Sequence, residues 1–152
     1  MSTGKKTLYQ RLGGYDAITA VANDLLPRLR SDTQLGRFWA HRGEDGVMRE
    51  KQLLIDFLCA NAGGPTYYRG RDMELCHRGM RISESDWNVF LGHAAATLAK
   101  FQVLEAEQRE VVFSASAGVS TRNSGGSSPI EIQGRLASIP NHLAPRRVPQ
   151  WR

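Results

Sequence analysis

Among the side chains able to do chemistry, the histidines come first. The first 120 positions of this 152-residue chain hold His41, His77 and His93. Neither a Gly-x-Ser-x-Gly elbow nor a phosphate-cradling glycine loop accompanies them, so the nucleophilic and phosphoryl-transfer templates are missing. His77 has the most distinctive surroundings. Met73 lies four residues before it, Met80 and Ile82 follow, and Tyr67, Tyr68, Trp87 and Phe90 stand close in sequence. An imidazole that ligates iron in a planar macrocycle needs such a setting, because its nitrogen must point out of a helix into an apolar slot. The plainer alternative is a half-buried histidine bonded to a backbone carbonyl, since histidine burial is ordinarily intermediate. Spacing alone leaves both readings open. Cys76 adjoins His77, but neighbouring helical residues point about 100° apart and cannot face one metal together, so a structural role is expected for Cys76.

The elements that must position these residues read as helices. From Gly13-Gly14 onward, Ile18, Val21, Ala22, Leu25, Leu26 and Leu29 recur at offsets of three and four, one face of an amphipathic helix that Pro27 should kink or tighten. Asp32 opens a short segment with Leu35, Phe38 and Trp39, followed by a polar loop over His41 to Gly46. A second helix presents Val47, Leu54, Phe57, Leu58 and Cys59 and stops at Gly63-Gly64-Pro65. Asp72 caps a short helix through Arg78, and Ser83 with Asp86 forms a partial capping box ahead of Trp87, Phe90, Leu91, Ala94 and Leu98. A last amphipathic stretch runs from Val103 to about Phe113, with Leu104, Val111 and Val112. No period-2 alternation survives, so the expected fold class is all-α, with about six helices.

Charge divides the chain in two. The sequence has a net charge of +5 and a pI near 9.6, which invites a nucleic-acid reading. From Thr121 to the end, however, Arg122, Arg135, Arg146, Arg147 and Arg152 face one acid, Glu131, which places +4 of the +5 there. That stretch also has four of the six prolines and a Gly/Ser run. The expected organisation is a domain over residues 1–119 and a basic tail over 120–152. The body is nearly neutral, so no nucleic-acid partner is expected. No run of about 18 apolar residues and no signal-peptide pattern occurs, so neither membrane insertion nor export is expected. Two cysteines make no disulfide framework, which suits a cytoplasmic setting.

A further layer comes from the order of motifs: Leu8-Tyr9-x-Arg11-Leu12-Gly13-Gly14, then Asp32, Leu35 and Phe38-Trp39, then Gln52 through Phe57-Leu58. Gly63-Gly64-Pro65, Tyr68, Gly70, Met73, His77 and Ile82-Ser83 complete it. This order resembles the truncated haemoglobin family, most closely its group I members, over roughly residues 7 to 113. The resemblance implies a two-over-two helical sandwich around haem b, with His77 as the proximal iron ligand. Phe38 or Trp39 would pack on the haem. Phe57, Leu58, Tyr68, Met73, Ile82 and Phe90 would line its faces and rim, with Leu54 above the iron.

Group I members commonly carry a tyrosine in the second helix and a glutamine in the distal helix, which donate hydrogen bonds to bound dioxygen. Counting back from Asp32 and Leu35 puts Leu26 at the tyrosine position, and counting back from Phe57 and Gly63 puts Leu54 at the glutamine position. Both donors are thereby lost, each worth about 1.5 to 3 kcal/mol toward a partly charged ligand. Glu50 falls near the distal gate, where a solvent-facing carboxylate is expected. Gln52 becomes a fallback donor if the register slips by two. The implied function is reversible binding of O2, CO or NO at an apolar distal face. Nitric-oxide dioxygenation is the enzymatic alternative, and an interaction protein with a degenerate haem site is another. An electron-donating reductase is the implied partner, and a monomer or weak homo-oligomer the expected state.

Overall fold

The computed structural model describes residues 4–116, and the side chains of residues 4–112. The inferred boundary at 119 and the basic tail lie outside the described residues.

Six α-helices and one 3₁₀ turn follow in order: α1 (Leu8–Leu12), α2 (Gly14–Ser31), the 3₁₀ turn η1 (Gly36–Trp39), α3 (Glu44–Asn61), α4 (Met73–His77), α5 (Glu84–Lys100) and α6 (Glu105–Ser116). There is no strand among the described residues. Local chemistry sets most of the boundaries. Thr7 and Gln10 make a reciprocal capping box at α1, and Ser83 and Asp86 make a complete one at α5, where the sequence suggested a partial one. The Asp32 carboxylate accepts from the Gln34 and Leu35 backbone N–H groups at 2.8 and 2.9 Å, turning the chain from α2 into η1.

Helix α2 runs through Pro27 to Ser31, with the proline on an exposed face. Two boundaries differ from the sequence reading. Helix α3 begins at Glu44 rather than after Gly46. Gly43 is its N-cap, and Glu44 and Asp45 place negative charge in its first turn, where the helix dipole favours it. Leu104 is 71% exposed just ahead of α6 and so lies off that helix's apolar side.

Helix α2 is the spine of the core. One end of its apolar face, Ile18 and Ala22, meets Ile55 and Cys59 of α3, with Tyr9, Leu12, Leu54 and Leu58 around them. The other end, Leu25 and Leu29, meets Leu35 and Ala94, with Phe38, Trp39, Val89 and Phe90 around them. Asp24 ties α2 to α5, accepting from Thr97 Oγ1 at 3.1 Å and pairing with Lys100 and Arg28.

Helix α1 closes the other side. The Tyr9 N–H donates to the Ala62 carbonyl at 2.7 Å, and the Tyr9 ring lies so close to Gly64 that a Cβ there would stand 2.5 Å from it. Only glycine fits that approach. Arg11 reaches α6, pairing with Glu107 at 2.9 Å and Glu110 at 2.6 Å. No helix among the described residues is long and apolar enough to cross a membrane.

Candidate functional site

The short helix α4 presents the candidate ligand. The Asp72 side chain accepts from the Glu74 and Leu75 N–H groups and so starts the helix where Met73 is its first residue. One turn later His77 Nδ1 lies 2.8 Å from the Met73 carbonyl oxygen. A carbonyl can only accept, so Nδ1 carries the proton and Nε2 keeps its lone pair. The two readings of His77 thus coincide, because the carbonyl bond aims and polarises the ring whose other nitrogen is available.

The remaining histidines are placed otherwise. His93 Nε2 pairs with Asp32 Oδ2 at 2.8 Å, an interaction that holds the Asp32 carboxyl below its usual range. His41 is exposed. Among the described residues, no group of three or more His, Cys, Asp or Glu side chains could hold a bare metal ion. A metal bound through His77 must therefore bring further ligands of its own, as iron in a macrocycle does.

Several half-buried aromatics pack on one another in the fold. Phe38 and Trp39 meet edge to face with centroids 6.4 Å apart, and both join Phe90 over the α2/α5 core cluster. Trp87 stacks on Phe90 at 5.0 Å. Across from them, Phe57 of α3 meets Tyr68 edge to face at 5.4 Å. Met73 and Ile82, half-buried, bracket His77 in the chain. The Tyr68 hydroxyl donates to the Arg71 carbonyl at 2.8 Å, and burial pushes its phenol up from the ordinary value. A Cβ on Gly70 would stand 2.0 Å from the Tyr68 oxygen, so this ring position requires glycine. Cys76 is exposed, and its thiol lies 3.4 Å from the same Arg71 carbonyl. It ties α4 to the preceding loop from an exposed position. The donor set, its tautomer and the surrounding apolar and aromatic side chains fit a haem.

Helix α3 supplies the opposing face. Glu50, Leu54, Phe57 and Leu58 recur at offsets of three and four, so they share one side of the helix. Glu50 shows where that side points, because its carboxylate accepts from the Trp39 indole N–H at 3.1 Å and pairs with Arg42 at 3.2 Å. This corrects the solvent-facing role expected of Glu50: its half-buried carboxylate is held by the Trp39 hydrogen bond on Oε1 and by the charge of Arg42, while Oε2 has no hydrogen-bond partner. Gln52 bonds instead to the Tyr15 hydroxyl at 3.1 Å and to Asp56 at 2.9 Å, which occupies its amide elsewhere and removes it as a fallback donor. Leu26 is 4% exposed in α2, between the core residues Ala22 and Leu29, and Leu54 is half-buried against the α2/α3 cluster. Both offer only hydrocarbon.

Sequence reasoning treated Asp86 as a cap and missed its larger role. Its carboxylate is 1% exposed and accepts from both Arg37 guanidinium nitrogens at 3.0 and 2.6 Å and from the Gln34 amide at 2.7 Å. Arg37 above all holds it well below the usual carboxylate range. Its partners lie some fifty positions away, so no local pattern signals them. Separately, an apolar cavity of about 120 Å³ between α1, α2, α6 and the C-terminal ends of α3 and α5 includes Leu58, but not His77 or the aromatics around it.

An all-helical order built on α2, with one oriented imidazole on a short helix, is the pattern of a globin. A sequence profile of the bacterial-like globins matches residues 7–117. The group 1 truncated hemoglobin of Tetrahymena pyriformis is 28% identical over 101 residues, covering 66% of this chain and 81% of that protein. The crystal structure of the truncated hemoglobin from that organism, in its Fe(III) form, superposes with a TM-score of 0.65 at 26% identity, covering 72% of this chain and 91% of the other. The 2/2 hemoglobin of Synechococcus gives the same TM-score at 22% identity, covering 74% and 92%, a likeness of fold. The chain belongs to the bacterial-like globin family, among the truncated haemoglobins, with their two-over-two fold. Membership implies a bound haem and small gaseous ligands such as dioxygen.

Proposed function

We propose that this globin holds haem b through His77 and reversibly binds dioxygen and other diatomic ligands beneath an apolar face formed by Leu26 and Leu54. The observation that carries the reading is the 2.8 Å bond from His77 Nδ1 to the Met73 carbonyl, which leaves Nε2 as the ring nitrogen available to a metal. When bound, haem supplies an iron atom whose sixth coordination position takes a diatomic ligand. The chain's own contribution is to bind and orient the macrocycle. Phe38, Trp39 and Phe90 pack one region of it, Phe57, Leu58, Tyr68, Met73 and Ile82 line the rest, and Glu50 anchors Trp39.

With leucine at positions 26 and 54, nothing there donates a hydrogen bond to a polarised ligand. That favours neutral, weakly polar ligands and disfavours nitric-oxide dioxygenation, which needs oxygen retained until a second gas arrives. A reducing cytoplasm suits the two thiols, Cys59 buried and Cys76 exposed, both unpaired. Visible spectra of the reduced protein with and without CO test the proposal. A Soret band at one haem per chain that shifts with CO is expected. A protein that takes up no haem on reconstitution would overturn it.

A further inference from the structure

The arginines of the described residues divide sharply by whether they have an acidic partner. Seven are paired: Arg11, Arg28, Arg30, Arg37, Arg42, Arg78 and Arg109. Of the others, Arg69, Arg71 and Arg81 fall within the thirteen positions that also carry His77, and all three side chains are exposed. The two acids of that stretch are engaged, Asp72 capping α4 and Glu74 pairing with Arg78. The stretch 69–81 therefore carries four arginines against two acids, a net charge of +2 beside His77. Close by in the chain, Tyr67 is 81% exposed and Leu75 52% exposed. An apolar centre with a charged rim is the usual anatomy of a protein-docking surface.

The position of the face decides what docks there. Leu75 and Cys76 are exposed neighbours of His77 in α4. A protein touching them comes within about 10 Å of the imidazole, given the width of a helix. We propose that Tyr67, Leu75, Arg69, Arg71 and Arg81 form the docking surface for an acidic one-electron carrier protein, of the flavodoxin or ferredoxin class. This rests on the haem reading above. The carrier gives up one electron and is itself oxidised by one, ferric iron becomes ferrous, and no bond forms or breaks. Opposite charge steers such an encounter and makes it fall with ionic strength.

Calorimetric titration with oxidised flavodoxin tests the surface without depending on haem. Binding is expected at low salt. The doubly substituted Arg69→Glu, Arg71→Glu protein should weaken it by about tenfold or more, while Arg49→Glu, which alters an unpaired arginine of α3 outside the face, should leave it unchanged. In the haem-loaded protein, the double variant should slow reduction by photoreduced flavodoxin by a similar factor and leave reduction by dithionite unaltered. Equal binding by wild type and double variant, or no binding at low salt, overturns the proposal. So does a double variant that loses haem without any carrier present, because the arginines would then serve the macrocycle's carboxylates. A wild-type chain that binds flavodoxin but takes up no haem would sink the haem reading while leaving the docking surface standing.

Discussion

At position 77 one ring nitrogen is spent on a carbonyl so that the other can be offered to a metal. His77→Ala removes both functions, and reconstituted protein should then lose stoichiometric haem in a pyridine haemochrome assay while keeping its helical circular dichroism. Full occupancy with unchanged spectra would assign the ligand to His41 or His93. On the opposite side, Leu26→Tyr restores a donor in α2, and oxygen release measured by stopped-flow displacement with CO should slow by about tenfold or more, since a charge-assisted hydrogen bond is worth about 1.5 kcal/mol or more. An unchanged rate would mean that residue 26 does not face the ligand. The methionines and aromatics near His77 in sequence left a carbonyl-bonded histidine equally open, and it was the family resemblance that singled the residue out as a ligand. The role of Glu50 was not legible in the sequence, because its meaning depends on Trp39 and Arg42, which only the packing of η1 against α3 brings to it.

Helices announced themselves more clearly than the joints between them. The periodic faces of α2, α3 and α5 could be read directly, as could the caps at Asp72 and Ser83. The start of α3 was misplaced because Gly43-Glu44-Asp45-Gly46 reads as a turn until the N-cap geometry of Gly43 is seen. Beside the apolar packing, the polar tie between η1 and α5 centres on one carboxylate, Asp86, holding Arg37, Gln34 and the Ser83 N–H at once. Asp86→Ala should therefore lower stability by about 2 to 3 kcal/mol in urea denaturation, combining a lost cap with lost hydrogen bonds to a charged partner. Haem retention should weaken as well, because the same joint holds Phe38 and Trp39 against Phe90. A loss below about 0.5 kcal/mol would show that the joint is held by packing alone.

Across the molecule, carboxylates with depressed pKa values set a common response to acid. Lys100 first, then Arg28 and Thr97, pull the Asp24 carboxyl from an ordinary 3.8 to about 2, and Asp32 and Asp86 move in the same direction. A folded pKa below the unfolded one stabilises the fold above the unfolded value, and the gain disappears as pH falls through the folded one. Stability should thus be level above about pH 5 and fall steeply between about pH 4 and 2. Asp24→Asn should flatten that slope in thermal melts taken across this range, and an unaltered slope would show that the Asp24 network does not carry it. The clasp of Arg11 on Glu107 and Glu110 has a mechanical consequence. Tension applied between residues 4 and 116 loads those two ion pairs and the Tyr9 to Ala62 bond before it reaches α4 or η1. Stretching between those two points should peel away α1 and α6 first, with the bond of His77 to the Met73 carbonyl still intact.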